Sequence, residues 1–479
     1  MHIQIIIAFS VYILILLFAS YWFSQKSKSS SEFILGGRTT NYLVTAVALL
    51  ASDASHWLFL ALPALIYTAG LLRIWELVGI VLFMYLNWQF VAPKLRRQTA
   101  KLKAITLFSY FEKRFNDTSG ILRITSAIIC LLFFSIFISS GLVALGRVLQ
   151  YTFGLEYHIG ILISLFTILF YTLLGGFKGV AWCDFFQGIF AFSMLLLIPL
   201  LAYVQNGGWS AIATAAKSKS VNLSILPPME QWYKLPLLIL LWGPGYFGQP
   251  QLLSFFMGIK NPKNIKYAKY ISLCWQIIGF SASVFIGLLG LIYFSTTGSN
   301  GEMIFITMTK SIFSFSPFII GLTLCAILAA TLTTLDSQIL TAGSILSEDI
   351  YKKITKKEAS QNSIVWISRV GSSIVAIMAF FLSINNSNSI YSIIHYAWDG
   401  IGSAFGPLVL TSLYAKNINK YGAFAGIITG AITASVWPFL KSPIFPIIPG
   451  FLLSLIAIFL VSYLTKHKTT HKTTSNTTE

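Results

Sequence analysis

Asp53 and His56 stand inside an apolar run that extends from about Tyr42 to Ala69. An ionisable side chain in mid-membrane is costly, so such a residue is a functional candidate by default. The residues around them read Ala51-Ser52-Asp53-Ala54-Ser55-His56-Trp57. Ser52, Asp53, Ser55 and His56 are poor helix formers beside Leu or Ala. The stretch predicts a helix that breaks near the bilayer midplane and turns backbone carbonyls toward a cavity. Backbone of that kind is tolerated only where it is buried in protein or lines water. The competing reading is a kinked helix with a structural, hydrogen-bonded Asp.

Two further stretches concentrate polar or helix-breaking residues. Trp242-Gly243-Pro244-Gly245-Tyr246-Phe247-Gly248-Gln249-Pro250 cannot be a continuous helix. Interrupted segments at corresponding places in two halves of a chain point to a transporter binding site. The alternative is a proline kink with packed Trp and Tyr. In Ala329 to Gln338 and just beyond, Thr333, Ser337 and Thr341 recur every four residues and share a helix face, with Ala330 and Thr334 beside it. Their hydroxyls are hard oxygen ligands, although Thr also bonds back to its own helix and small residues also mark helix packing. Asp184, Asp336 and Asp399 are candidates for a gate or ion route. Asp184, at the start of an apolar segment, also suits a helix N-cap. A His56–Asp399 pair across an outward vestibule would stabilise both partners. No phosphate-binding loop, H-E-x-x-H or G-x-S-x-G is present, so ATP-driven transport and membrane hydrolysis are not expected.

The elements that must position these residues are membrane helices. Of the 479 residues, 56% are hydrophobic and 10% charged, and mean hydropathy is +0.76. Soluble domains are roughly 25% charged, so the chain reads as a polytopic, all-α membrane protein. About thirteen apolar stretches of spanning length occur: near 3–23, 42–69, 74–93, 124–150, 158–176, 183–204, 235–257, 270–295, 311–340, 364–384, 390–414, 421–439 and 447–465. The first lacks a basic flank and a cleavage site and reads as a retained helix. Every second connection is basic: Lys26, Lys28 and Arg38; Lys94 through Arg114; Lys178; Lys260 through Lys269; Lys352 through Lys357; Lys416 and Lys420; and the tail from Lys466. That alternation predicts a cytoplasmic basic side, an outer N-terminus and an inner C-terminus. It also accounts for the net charge of +18 through contact with membrane lipid. Charge dispersed in this way is not a nucleic-acid surface.

Spans two and seven are five apart, so spans two to six (about 42–204) and seven to eleven (about 235–414) would form two inverted repeats. The helices near 3–23, 421–439 and 447–465 would be additional, all within one transmembrane domain over 1–465. The segment Thr106 to Phe115 suits an interfacial amphipathic helix. The loop from about Gln205 to Lys234 suits short surface helices. Residues 466–479 suit a disordered basic tail. Cys130, Cys183, Cys274 and Cys325 read as small core residues. No enzymatic domain and no obligate protein partner are evident.

Several motifs together resemble the sodium:solute symporter family: Phe33-Ile34-Leu35-Gly36-Gly37-Arg38, Ala51-Ser52-Asp53 through Trp57, Gly175-Gly176-Phe177, Trp242 through Pro250, and Ala404-Phe405-Gly406-Pro407. The branch most similar is that of the bacterial sodium/proline symporters, from about Val11 to Leu464. The resemblance implies about thirteen helices around a five-plus-five inverted-repeat core of the leucine-transporter type. It implies Na⁺-driven uptake of L-proline across the cytoplasmic membrane by alternating access, with no cofactor besides the co-transported ion. It assigns Na⁺ to the carbonyls of Ala51, Ala54 and Ala330 and the hydroxyls of Thr333 and Thr334, with Asp53 as the ion-coupling carboxylate. It assigns the solute to Ser55, Trp57, Trp242, Tyr246, Gln249 and Pro250, with His56 and Phe137 as candidates on the same solute side. The chain departs from that pattern at His56, where Gly is usual, at Phe137 for Tyr, at Asp399 for Ala and at Thr333 for Ser. The first three touch the solute side, which leaves another small amino acid or zwitterion open. A channel or sensor on the same scaffold is the other class of reading.

Overall fold

The computed structural model describes residues 2–24, 34–294, 301–355, 360–385 and 388–466. Phe33, several loop cations (Lys26, Lys28, Lys356, Lys357) and the tail beyond 466 lie outside the described residues. Within them the chain is helical almost throughout and forms no strand; an isolated bridge joins Thr40 to Ile259.

Eight described helices are long and apolar enough to cross a membrane, and the bent pair Tyr42–Ala54 with His56–Ala69 makes nine. The other four expected spans are helical but fall short of that measure. Ile3–Ala19 and Tyr157–Phe170 are short apolar helices. Span seven is split into Lys234–Trp242 and Pro250–Gly258. Span eleven, Ile390–Tyr414, is diluted by His395, Asp399, glycines and serines. Spans five and six fall in one unbroken helical run, Tyr157–Gln205. At about 1.5 Å per residue that run far exceeds a bilayer's ~30 Å core. Within it, Val180–Gln205 is long and apolar enough to cross a membrane, and Tyr157–Phe170 is a shorter apolar stretch.

Burial orders the helices around the site. The apolar window of Pro317–Thr355 is 83% buried, against 28% for Ile447–Leu464 and 33% for Lys420–Leu440. The residues carrying Thr333 and Thr334 thus lie at the centre, and the last two helices at the periphery. Local signals set the ends. Ser316 caps Pro317–Ser344 with Pro317 in its first turn, Asn41 caps Tyr42–Ala54, and Ser389 caps Ile390–Tyr414. Cys130, Cys183 and Cys325 are buried and Cys274 is exposed.

The expected interfacial helix is Leu107–Arg114, opened by a reciprocal Thr106–Ser109 cap. It is not a surface float, because Leu107 through Glu112 are all buried. Tyr110 donates to Gln98 Oε1 at 2.6 Å, and Arg114 Nε to the Ser412 carbonyl at 2.8 Å, so the helix clamps the basic ends of spans three and eleven. Arg123, at the basic end of Ile121–Phe153, meets Asp349 at 2.6 Å and Glu112 at 2.9 Å, and Lys353 also pairs with Glu112. Arg38 donates to the Ala104 carbonyl at 2.7 Å. Burial, with Arg96 nearby, brings its guanidinium down to about 10, so it remains charged at neutral pH. At the opposite end of Ile121–Phe153, Arg147 pairs with Glu302 at 2.6 Å. The long loop on that side carries the helix Gly208–Ser218 and the turn Met229–Gln231.

Candidate functional site

The first break occurs at Ser55, whose backbone adopts φ +50°. Helix Tyr42–Ala54 stops there, and the chain resumes through the turn His56–Leu58 at an angle of 62°. The freed carbonyls face span nine. Thr333 Oγ1 donates to the Ala51 carbonyl at 2.9 Å and lies 3.0 Å from that of Ala330. Thr334 Oγ1 donates to the Ser52 carbonyl at 2.7 Å and lies 3.4 Å from the Ala330 carbonyl. Ser52 Oγ and Ser337 Oγ are 2.5 Å apart. This cluster consists of neutral oxygens, buried and supplied by two helices. Each hydroxyl has lone pairs as well as a proton, so it can turn from donating to a carbonyl to ligating a cation. The donor set fits a hard cation. Four of the five expected ligand residues, Ala51, Ala330, Thr333 and Thr334, come together. Ala54 is the last helical residue before the break and is half-buried; no hydrogen bond among the described residues ties it to the cluster. Ser52 and Ser337, both named in the sequence but not among the expected ligands, belong to the cluster. The i+4 relation of Ser337 to Thr333 was the available signal.

Asp53 points the other way, toward the second break. Its Oδ2 accepts from the Tyr246 hydroxyl at 3.0 Å and from Gln276 Nε2 at 3.4 Å. One carboxylate thus joins the two broken helices. The second break is a tight turn over Gly243–Gly248, after which Pro250 starts the next helix at a position that needs no N–H. Glycine is required here by close approach. A Cβ on Gly245 would sit 2.1 Å from the Trp398 indole nitrogen. The turn's carbonyls are capped: Trp398 Nε1 donates to the Trp242 carbonyl at 2.9 Å and Asn87 Nδ2 to the Tyr246 carbonyl at 2.8 Å. Trp57 and Trp242 stack at 5.8 Å, and Tyr246 meets Trp398 edge-on at 4.8 Å. Gln249 Nε2 lies 3.5 Å from the Trp398 carbonyl. Trp57, Trp242, Tyr246, Gln249 and Pro250 are all buried around this junction.

His56 and Asp399 do not meet. His56 is fully buried, with Nδ1 2.6 Å from Ser55 Oγ and Nε2 3.3 Å from Ser140 Oγ. Ser140 in turn donates to the carbonyl of buried Phe137 at 2.6 Å. Asp399 pairs instead with His395, one turn earlier on its own helix, at 2.9 Å. The expected vestibule pair is replaced by this local one because i,i+4 spacing brings two side chains together with no tertiary arrangement. Asp184 is not a helix N-cap, since it lies inside Tyr157–Gln205 and is fully buried. Its carboxyl meets that of Asp336.

A narrow cavity of about 20 Å³ lies on the basic side of this junction, lined by Ser337, Thr341, Gln251 and Ser254 among others. On the opposite side a cavity of about 880 Å³ is lined by Ala61, Ala64, Thr68, Arg147, Glu302 and Tyr391, among others.

The sodium:solute symporter family model matches residues 33–430. The chain belongs to that family. It is 38% identical over 474 residues to the osmoregulated proline transporter OpuE of Bacillus subtilis, covering 97% of this chain and 96% of that one. It is 36% identical over 469 residues to the sodium/proline symporter of Salmonella typhimurium, covering 96% and 93%. Its fold matches the substrate-bound, outward-open structure of a Na⁺-coupled sialic acid symporter with a TM-score of 0.81 at 21% identity, over 96% of this chain and 98% of that one. This family member is thus an all-helical, multi-pass membrane protein with a core of the leucine-transporter type.

Proposed function

We propose that this sodium:solute symporter imports L-proline, driven by Na⁺ and by alternating access. The observation that carries the reading is the Asp53 junction. Asp53 follows directly on two carbonyls that meet the Thr333 and Thr334 hydroxyls, and it accepts from Tyr246 in the aromatic cluster. Na⁺ takes the carbonyls of Ala51, Ser52 and Ala330 and the two Thr hydroxyls, with Ala54 completing the set after local adjustment. A neutral cage holds the ion weakly enough to release it to the cytoplasm. Asp53 strengthens the cage through its field and reports ion binding to Tyr246. The solute lies against Ser55, His56, Trp57, Phe137, Trp242, Tyr246, Gln249 and Pro250, with the unwound helix ends toward its carboxylate. Asp184 and Asp336 lie on the ion's inward route, and Asp399 on the outer gate. The proteins that the chain resembles, among them a sodium/proline symporter and a proline transporter, support this reading.

The basic side is cytoplasmic, with the N-terminus outside and the C-terminus inside the cytoplasmic membrane. The repeats run over about 42–204 and 235–414. The protein transports and does not catalyse a covalent reaction. Radiolabelled L-proline uptake into proteoliposomes tests the proposal. Accumulation should require an inward Na⁺ gradient; uptake indifferent to Na⁺ overturns the coupling, and passive, non-concentrative flow indicates a channel. His56 and Phe137 favour a second reading, in which the solute is another small zwitterion. Thermal-shift screening of amino acids with and without Na⁺ decides between them, since a ligand stabilises the state it binds.

A further inference from the structure

Glu76 is an intramembrane carboxylate that the transport scheme does not use. It lies two residues into the helix Ile74–Leu86, is 1% exposed, and is surrounded by three spans. Its Oε2 accepts from the Trp242 indole at 3.1 Å and from the Tyr391 hydroxyl at 2.9 Å. Its Oε1 pairs with Arg73 Nε at 2.5 Å, and Arg73 Nη2 donates to the Tyr391 oxygen at 3.1 Å. Span three therefore grips span seven and span eleven through one side chain.

We propose that Glu76 is a positioning residue for the solute site: it holds the Trp242 ring against Trp57 and locks the outer ends of spans three, seven and eleven together. A buried ion pair by itself says little about stability or role. The distinguishing feature is the second oxygen, which takes two neutral donors from two different helices. Trp242 is the more telling donor. Its ring stacks on Trp57 at 5.8 Å and meets His395 edge-on at 4.8 Å, so it forms a wall between the aromatic cluster and the outer side. Tyr391 lines both the 880 Å³ outer cavity and a neighbouring one of about 520 Å³. Admitting a solute from either cavity requires that wall to swing, and the bonds to Glu76 fix where it rests. Removing the carboxylate leaves a buried indole N–H and a half-buried phenol without their acceptor, which for the indole is costlier than losing a solvated hydrogen bond.

The proposal rests on the solute reading above, and its test separates the two. Glu76→Ala, Glu76→Gln, Trp242→Phe and the double variant Glu76→Ala/Trp242→Phe are made in the full chain. In proteoliposomes, Glu76→Ala should raise the apparent KM for L-proline about tenfold, with half-saturating Na⁺ changed less than about twofold. Glu76→Gln keeps an acceptor oxygen and should recover most of the KM. The double variant should lose less than the product of the two single losses, because the Glu76–Trp242 bond is removed in both. An unchanged KM in Glu76→Ala, equal losses in Glu76→Gln and Glu76→Ala, or multiplying losses in the double variant would overturn the role. The same four proteins are also melted in detergent without solute. Non-additive Tm shifts support the Glu76–Trp242 link and additive shifts refute it, even if the wild type takes up no proline and the solute assignment fails.

Discussion

The two broken helices solve one problem with different chemistry. At Ser55 a single residue with φ +50° interrupts the helix, and the exposed carbonyls are met by Thr hydroxyls. At Gly243–Gly248 a six-residue turn interrupts it, and the carbonyls are met by an indole N–H and a side-chain amide. Hydroxyls both donate and accept, whereas indole and amide N–H groups only donate. A cation arriving at the first break finds partners that can turn their lone pairs toward it. At the second it would meet hydrogens. On the reading proposed above, the ion belongs to the first break, and the second, capped by N–H donors and walled with aromatic rings, shapes the solute site. Asp53 belongs to the first break in sequence and to the second by its bond to Tyr246.

That position makes Asp53 the strongest place to break the comparison. Asp53→Asn keeps size and hydrogen bonding but removes the charge beside the cage. Na⁺-driven proline uptake should fall about 100-fold or more, the scale set by losing a charged interaction in a dry site. Uptake within a few-fold of wild type would show that the two breaks are not coupled through it.

Substitutions at one break only should separate ion from solute. Thr334→Ala removes a hydroxyl that faces two carbonyls, and the half-saturating Na⁺ concentration should rise about tenfold. Thr333→Ser keeps its hydroxyl and should stay within about twofold of wild type. At the second break, Asn87→Leu uncaps the Tyr246 carbonyl. The KM for proline should rise about threefold to tenfold, with Na⁺ dependence unchanged. Both dependences are read from uptake at varied Na⁺ and varied proline. A crossed result, with Thr334 governing proline and Asn87 governing Na⁺, would reverse the assignment.

The sequence showed the first break more completely than the second. The cost of Asp53 and His56 in an apolar run, and the four-residue spacing of Thr333 and Ser337, are local signals that survive folding. Gly and Pro marked where the second break lies, but the groups that cap it, Asn87 and Trp398, come from spans three and eleven. Asn87 reaches the turn because the helix widens into a π-helical segment over Asn87–Val91. No local pattern announces such a segment. Glu76 meets the same intramembrane-charge rule as Asp53, but the sequence reading passed over it. Its three partners are tertiary. The His56–Asp399 expectation failed for a related reason: spacing predicts neighbours on one helix, such as His395 and Asp399, better than neighbours across a cavity.

His56 offers the smallest and most specific test, because it touches the first break without belonging to the ion cage. The proton bookkeeping around it is closed. Ser140 gives its hydrogen to the Phe137 carbonyl, which can only accept, so toward His56 it can only be an acceptor. His56 Nε2 must then carry the hydrogen, and Nδ1 accepts from Ser55 Oγ. A neutral ring with that tautomer satisfies every partner, and it braces the one residue that holds the break open. His56→Gly removes the brace and adds backbone freedom beside it. The KM for proline should rise about twofold to threefold, the loss of one neutral hydrogen bond partly offset by relaxation, with half-saturating Na⁺ nearly constant. Because the neutral ring already satisfies its partners, the ratio of variant to wild-type uptake should be flat between about pH 5.5 and 7.5, the range in which an ordinary His titrates. A wild-type pH dependence that disappears in the variant would mean that the imidazole charges during the cycle. The first break would then carry a proton as well as an ion, and the division of labour between the two breaks would have to be redrawn.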